Sequence, residues 1–510
     1  MSKNRISRCL WLQAKLRLDS PAAIGSGNAS HTDRDLLTGN DGRPFLPGAS
    51  IVGIARSLLL ADNGEMQQIF GGEKEESTQS IVTFWDGTIP EDEPFTISFR
   101  DGVAINERTK TAADQSKYDF EVLNPGTCFR LRMEVVVREE QKELPYQQFV
   151  SNFLACIRSG DFRIGGKTMR GYGKVSLEDV RIMKKTFDGD DAADFLDYVN
   201  FDWEELKKGG EEKLPKPTYR SPYTDLELLL RPESTLLIRN YFVQNMGADC
   251  EQLQTNGKTV IPGTAWAGLF RHKVTELLEE CMDDETQAKG MIEKLFGPEK
   301  KSDELWRARI LFEESMNVDV KPGEQSELRL IMRNKIDRFT GGVLKSALFS
   351  ERVAVGGAFR LGIRIRDAKD YEIGMVLLAA EEVCSSLAAI GGATAVGRGV
   401  LKPGGAVRMR TPVMQNQDAS GDEEKQAYRK VLDDEKKQAY RQAPDDEKKQ
   451  VCRAALDDER GQTCGEAPVN EKKQACWEAL DDERKQAYWD ALDAEITQRK
   501  EWGSVWSATE

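Results

Sequence analysis

The sequence predicts a mixed α+β protein in which a ferredoxin-like unit is written twice. Two observations carry this reading. Four sequence blocks recur in the same order in two halves of the chain, and within each half strand-like alternation and amphipathic helical stretches succeed one another in the same sequence. FLPGASIVGIAR (45–56) is answered by VIPGTAWAGLFR (260–271), and Ile69-Phe70-Gly71 by Leu295-Phe296-Gly297. Arg108, Glu121, Gly126 and Phe129-Arg130-Leu131 are answered by Arg338, Glu351, Gly356 and Phe359-Arg360-Leu361 at a constant spacing of 230, and IGGKTMRGYG (164–173) by IGGATAVGRG (390–399).

The duplication sets the limits: a first domain over 5–182, an acidic linker over 183–221 with one short helix near Phe201–Leu206, and a second domain over 222–405. Each unit opens on an alternating strand, Leu10 to Leu18 and Leu226 to Leu230. A helix follows each Pro-Gly. Ile51, Ala55, Leu58 and Leu59 share one face in the first unit, as do Trp266, Phe270, Val274 and Leu277 in the second, with Ser50 and Thr264 near the N-cap. A second strand alternates over Phe129–Val137 and Phe359–Ile365, and a second helix is expected at 147–157 and 373–390. Strand, helix, strands, helix and a glycine-rich return place the helices on one face of an antiparallel sheet.

Residues 421–492 are six twelve-residue repeats, from GDEEKQAYRKVL to DDERKQAYWDAL, followed by a tail over 493–510. Twelve residues make about 3.3 helical turns, so apolar positions rotate from repeat to repeat and form no continuous stripe. Pro444 and Pro468 would interrupt a long helix. This predicts short solvated helices or disorder.

Composition limits the function. The 510 residues hold 72 Lys plus Arg against 86 Asp plus Glu, a net charge of −14, so any polyanion site must be local. Nine cysteines form no CxxC pair, and His31 and His272 are the only histidines, which speaks against structural zinc and a Ser-His-Asp triad. With no signal peptide and no run of eighteen apolar residues, the expectation is a cytoplasmic protein with free thiols and no membrane partner.

The Pro-Gly-small-Ser/Thr helix starts, the following Phe-Gly and the terminal IGGxTxxGxG, each present twice, resemble the RAMP superfamily of CRISPR effector proteins. Within it the tandem arrangement resembles a double-RAMP backbone subunit of a type III, III-D-like, complex. The resemblance covers the two domains and leaves out the linker and the repeats. It implies binding of a guide (CRISPR) RNA, pairing with a complementary target RNA and assembly with other type III effector subunits. In the family the excursions at Arg108–Gly126 and Arg338–Gly356 are thumb hairpins that wedge into the guide–target duplex. The implied RNA contacts are Gly48, Ser50, Arg56, Arg108, Lys110, Gly165, Gly166, Lys167 and Arg170 in the first unit, and Gly263, Thr264, Arg271, Arg338, Lys345, Gly391, Gly392 and Arg398 in the second. Helix N-termini favour phosphate, glycine allows close backbone approach, and Lys and Arg pair with phosphates. One departure stands out: a lysine common in the family after the Pro-Gly is replaced by Val52 and Ala267, while Arg56 and Arg271 are kept.

Family members that cut RNA use an aspartate on the loop before the Pro-Gly. Setting DRDLLTGNDGRPFLP against DCEQLQTNGKTVIP pairs Asp33 with Asp249 and Asp35 with Glu251. Asp33 and Asp249 are thus the implied catalytic residues and ligands of a weakly held Mg2+ or Mn2+, with His31, Asp35 and Glu251 as accessories. The implied activity is metal-dependent cleavage of target RNA at two sites about six nucleotides apart, each at an unstacked base. The alternatives are a non-catalytic guide-RNA scaffold, a guide-RNA-processing endoribonuclease, for which histidine is scarce, and a two-domain interaction protein whose repeats carry the function.

Overall fold

The computed structural model describes residues 5–59, 68–71, 79–105, 111–187, 196, 198–207, 213–240, 248–282, 284–298, 306–318, 325–405, 407–411, 478–479, 484–492 and 494. Domain 1 comprises β1 (Ile6–Leu18), α1 (Gly48–Leu59), β2 (Val82–Phe84), a two-stranded hairpin of β3 (Ile97–Gly102) and β4 (Tyr118–Leu123), β5 (Cys128–Arg138), α2 (Tyr146–Arg158) and β6 (Val175–Thr186). Its sheet runs β6-β1-β5-β2 with every pair antiparallel. The alternation in β1 and β5 turns Leu10, Leu12, Leu131 and Met133 into a core closed by Ile51 and Ala55 of α1 and Phe149 and Phe153 of α2.

Domain 2 repeats the plan: β7 (Tyr223–Pro232), β8 (Cys250–Gln252), α3 (Gly263–Cys281), α4 (Glu285–Phe296), β9 (Ile310–Phe312), the hairpin β10 (Glu327–Ile336) and β11 (Val343–Val355), β12 (Ala358–Arg366), α5 (Asp370–Cys384), β13 (Leu401–Pro403) and β14 (Arg408–Arg410). Its sheet has β13 on one side of β7 and β12 then β9 on the other, again antiparallel. The two hairpins start earlier than expected, at Ile97 and Glu327. Ser50 and Thr264 do not cap their helices. Both helices begin at the glycine of the Pro-Gly, and Pro262 is the N-cap of α3 with no side-chain hydrogen bond.

The domains meet through a turn that follows β9. Glu313 accepts hydrogen bonds from Arg163 (2.6 Å) and Lys174 (3.0 Å), and Glu314 accepts from Arg100 (3.2 Å) and Thr255 (2.9 Å). Arg364 joins Asp161 of domain 1 (2.7 Å) to Asp225 of domain 2 (2.6 Å). The linker is strapped to domain 1. Thr218 N–H donates to Asn152 (2.8 Å), Ser151 donates to the Pro215 carbonyl (2.7 Å), and Phe201 stacks on Trp11. Its short helix is a 3-10 turn at Trp203–Lys207.

The last repeat departs from the solvated helix expected of it. At the end of the fifth repeat Glu478–Ala479 pairs with β14, and the helical residues 484–492 of the last repeat lie against α5, where Leu492 is buried in the domain 2 core. Gly374, in the middle of α5, explains the fit, because a Cβ there would collide with the Tyr488 carbonyl. The chain therefore leaves domain 2 after β14 and returns to complete it. The rest of the repeats, 421–477 and 480–483, lies outside the described residues. Leu492→Ala is expected to cost about 2–5 kcal/mol, read as a lower unfolding midpoint; a midpoint equal to wild type contradicts the docking.

Candidate nucleic-acid interface and paired aspartates

Asp33, in the loop after β1, and Asp249, just before β8, are both exposed and are held in the same way. The Asp33 carboxylate accepts the Asp119 N–H (3.0 Å), and the Asp33 N–H donates to the Asp119 carboxylate (2.9 Å). The Asp249 carboxylate accepts the Ser350 N–H (2.8 Å), and the Asp249 N–H donates to the Ser350 carbonyl (2.9 Å). Asp119 and Ser350 are themselves equivalent. Ala22 pairs with Leu123 and Leu236 with Ala354, and each partner residue precedes that pairing by the same number of positions. Each hairpin's returning strand thus tethers one exposed carboxylate at its root.

This register lies one residue away from the constant spacing that pairs Glu121 with Glu351, so the counterpart of Glu351 is Phe120. In domain 1 Phe120 packs on Tyr172, with ring centroids 5.9 Å apart. In domain 2 the same two places hold Glu351 and Arg398, a buried ion pair that Arg333 joins at 2.7 Å. An aromatic contact and an ion pair do the same job, locking the hairpin to the glycine-rich loop.

The accessory carboxylates do not gather around the aspartates. Asp35 is buried and spent on its own loop. The amide of Ser30 first, then those of Thr32 and His31 and the Thr32 hydroxyl, hold its carboxyl down at about 2. His31 is exposed and joins this turn through its amide. Glu251 is buried in β8 beside Arg352 (3.8 Å). The side chains that matter to the tether, Asp119 and Ser350, carry no signal in the sequence, because they come from strands paired only in the fold.

Several of the implied RNA contacts are engaged within the protein itself. Gly48 and Gly263 are buried, and a Cβ would collide with the Phe84 carbonyl in the first case and the Phe312 and Arg170 carbonyls in the second. The backbone they admit is the protein's own. The Gly48 N–H, moreover, is taken by Asp86 (2.7 Å). Lys167 lies over the Tyr118 and Phe120 rings and donates to the Tyr118 hydroxyl (2.6 Å), and Arg398 is held by Glu351.

Other positions keep part of their surface exposed. Gly165 and Gly391 are exposed at positive φ (74° and 91°) against the Ala23 and Leu237 carbonyls, to which Gly166 N–H and Gly392 N–H donate (both 2.7 Å). Ser50, Thr264, Arg338 and Lys345 are exposed, and Arg56 is partly buried on α1. Arg108 and Lys110 lie outside the described residues. Arg170 and Arg271 come together across the domain junction. Burial and then the Arg271 charge lower the Arg170 pKa, its buried Nη1 has no hydrogen-bond partner, and Arg271 donates to the Gly297 carbonyl (3.0 Å). Two guanidiniums to which no carboxylate is bonded among the described residues suit a phosphodiester.

Arg170→Ala and Arg271→Ala are each expected to weaken RNA binding and to flatten its salt dependence, by about 0.7–0.9 in log–log slope per lost contact. Arg398→Ala is expected to leave the slope unchanged and lower the melting temperature. A flattened slope for Arg398→Ala alone would reverse this assignment.

Among the described residues no helix is long and apolar enough to cross a membrane, and no three His, Cys, Asp or Glu side chains are grouped to hold a metal. No curated protein matches the chain. The family model of the RAMP superfamily matches it in two stretches, 15–176 and 248–402, one within each of the two repeated folds. Matched over more than half its length, the chain belongs to the RAMP superfamily, whose members bind CRISPR RNA and work in multisubunit complexes.

Proposed function

We propose that the chain is a cytoplasmic, guide-RNA-binding backbone subunit of a type III, III-D-like, CRISPR effector complex, and that it cleaves the complementary target RNA once at each domain. The strand order of each sheet reads as a ferredoxin-like core, on which the hairpins act as thumbs. The observation that carries the reading is the duplicated tether: each domain offers one exposed aspartate fastened to the returning strand of its hairpin. A hairpin that parts the guide–target duplex therefore brings its own carboxylate to the displaced nucleotide.

The donor set fits a divalent ion held mainly by RNA and water. Asp33 has the Asp119 carboxylate bonded to its amide, while Asp249 has the Ser350 hydroxyl within 3.3 Å. Such sparse ligation suits Mg2+ or Mn2+ shared with a phosphate. When bound, the ion stabilises the charge that develops as a 2′-hydroxyl attacks the adjacent phosphate. The protein's share is to tether the carboxylate, neutralise neighbouring phosphates through Arg170 and Arg271, and keep the strand splayed for in-line attack.

Asp33→Ala and Asp249→Ala, each in the guide-bound complex with end-labelled target RNA, are expected to erase one distinct product apiece while target binding persists. If both variants cut like wild type, the chain is a guide scaffold and the cutting lies elsewhere.

A further inference from the structure

The two aspartate tethers are alike in their backbone and unlike in their charge. Asp33 and Asp119 bond each other's amides through one carboxylate oxygen apiece, so Asp33 Oδ1 and Asp119 Oδ2 have no hydrogen bond among the described residues. In domain 2 the place of the Asp119 carboxylate is taken by the Ser350 hydroxyl, 3.3 Å from Asp249 Oδ2. The first centre has two half-used carboxylates where the second has one carboxylate and an alcohol.

Register carries the contrast into the rest of each hairpin. Asp101 stands opposite Asp119 in the hairpin of β3 and β4, as Met332 stands opposite Ser350 in that of β10 and β11. Two positions beyond Asp119 and Ser350, on the same face of the returning strand, come Glu121 and Arg352. Three carboxylates of the first hairpin, Asp101, Asp119 and Glu121, are thus Met332, Ser350 and Arg352 in the second. Asp101 pairs with Lys117 (3.4 Å) and Glu121 accepts the Leu36 N–H (2.8 Å), so these two contribute charge rather than ligation. Asp119 is the one of the three joined to the candidate catalytic aspartate.

The difference bears directly on an approaching phosphate. A target strand brought to Asp33 meets carboxylates on the hairpin as well, and a cation between them relieves the repulsion. At Asp249 the matching positions present a hydroxyl, a thioether and a guanidinium, which repel no phosphate. Affinity of an oxygen site for a divalent ion rises with the number of charged ligands, so the two centres differ in how firmly they hold one.

We propose that Asp119 is a second protein ligand, beside Asp33, for the divalent ion of the domain 1 centre, and that Ser350 leaves the domain 2 centre with a single carboxylate. The inference rests on the reading of Asp33 and Asp249 as metal ligands in RNA cleavage. It adds that the two centres are unequal: the cut at domain 1 saturates at a lower metal concentration than the cut at domain 2.

The test is Mn2+ binding, read by electron paramagnetic resonance, to the guide-bound complex paired with a target whose 2′-deoxy nucleotides at both cuts keep it whole. Subtracting the Asp33→Ala or the Asp249→Ala isotherm from wild type isolates the ion of one centre. The domain 1 ion is expected to bind at about tenfold lower Mn2+ than the domain 2 ion. Asp119→Asn keeps an oxygen for the Asp33 N–H and removes the charge, so a role confined to the tether leaves the isotherm in place, whereas a ligand closes the gap between the centres. Ser350→Asp is expected to move the domain 2 ion toward the domain 1 value. On an all-ribose target the two products are expected to appear in the same order as Mn2+ is added. Coincident isotherms in wild type, no ion lost in Asp33→Ala, or a domain 1 isotherm untouched by Asp119→Asn would each overturn the proposal. Ion binding is read on uncut RNA, so its failure is distinct from that of the cleavage reading, which falls if Asp33→Ala and Asp249→Ala still give both products.

Discussion

The arrangement of the described body depends on the Phe312-Glu313-Glu314 turn. Its backbone closes over Gly263 and Gly171, while its two carboxylates bind Arg163, Lys174 and Arg100 of domain 1. Burial alone would raise the Glu313 carboxyl, but Lys174 and Arg163 outweigh it and hold it below the usual range. Buried ion pairs of this kind add little net stability, because desolvation offsets attraction, yet each is costly to break singly. Their effect here is orientation: they fix the glycine-rich loop and hairpin of domain 1 against the helix start of domain 2, which is how Arg170 and Arg271 come to share one place.

A second constraint operates within each domain. The loop bearing the aspartate, the root of the hairpin and the glycine-rich loop form one hydrogen-bonded layer, so the hairpin cannot shift without moving the carboxylate tethered to it. The layer tolerates different chemistry in its two copies, Phe120 with Tyr172 in one and Glu351 with Arg398 in the other. What is kept is the backbone bond from the strand to the aspartate. A nuclease that cuts beside a wedge needs such coupling, since a carboxylate displaced by about an ångström loses most of its rate advantage.

The sequence shows what depends on local periodicity. The alternation in β1, β5, β7 and β12 and the one-sided helices after each Pro-Gly were legible because side chains in strands and helices face the core at fixed intervals. It also exposes Asp33 and Asp249, because the loops that hold them can be aligned from the Pro-Gly backwards. Partnership across the fold is not legible. The turn after the hairpin is one residue shorter in domain 2, so a constant spacing sets Glu121 on Glu351 and hides the true match with Phe120. Arg398 looks like a free loop cation until Glu351 is brought to it, and Gly263 looks like a phosphate cradle until Arg170 closes over it. The docking of the last repeat is invisible for the same reason, although a glycine in the middle of α5 is a cost that only a close neighbour explains.

The central claim is that two tethered aspartates serve two separate cuts. Single 2′-deoxy substitutions placed along a complementary target RNA test it most directly, because they remove the attacking hydroxyl at one nucleotide and leave pairing intact. The account predicts that two positions, and only two, each abolish one product, and that the product lost at one position is the product lost with Asp33→Ala and at the other with Asp249→Ala. Cleavage that persists at every deoxy position, or one position that silences both cuts, would contradict it.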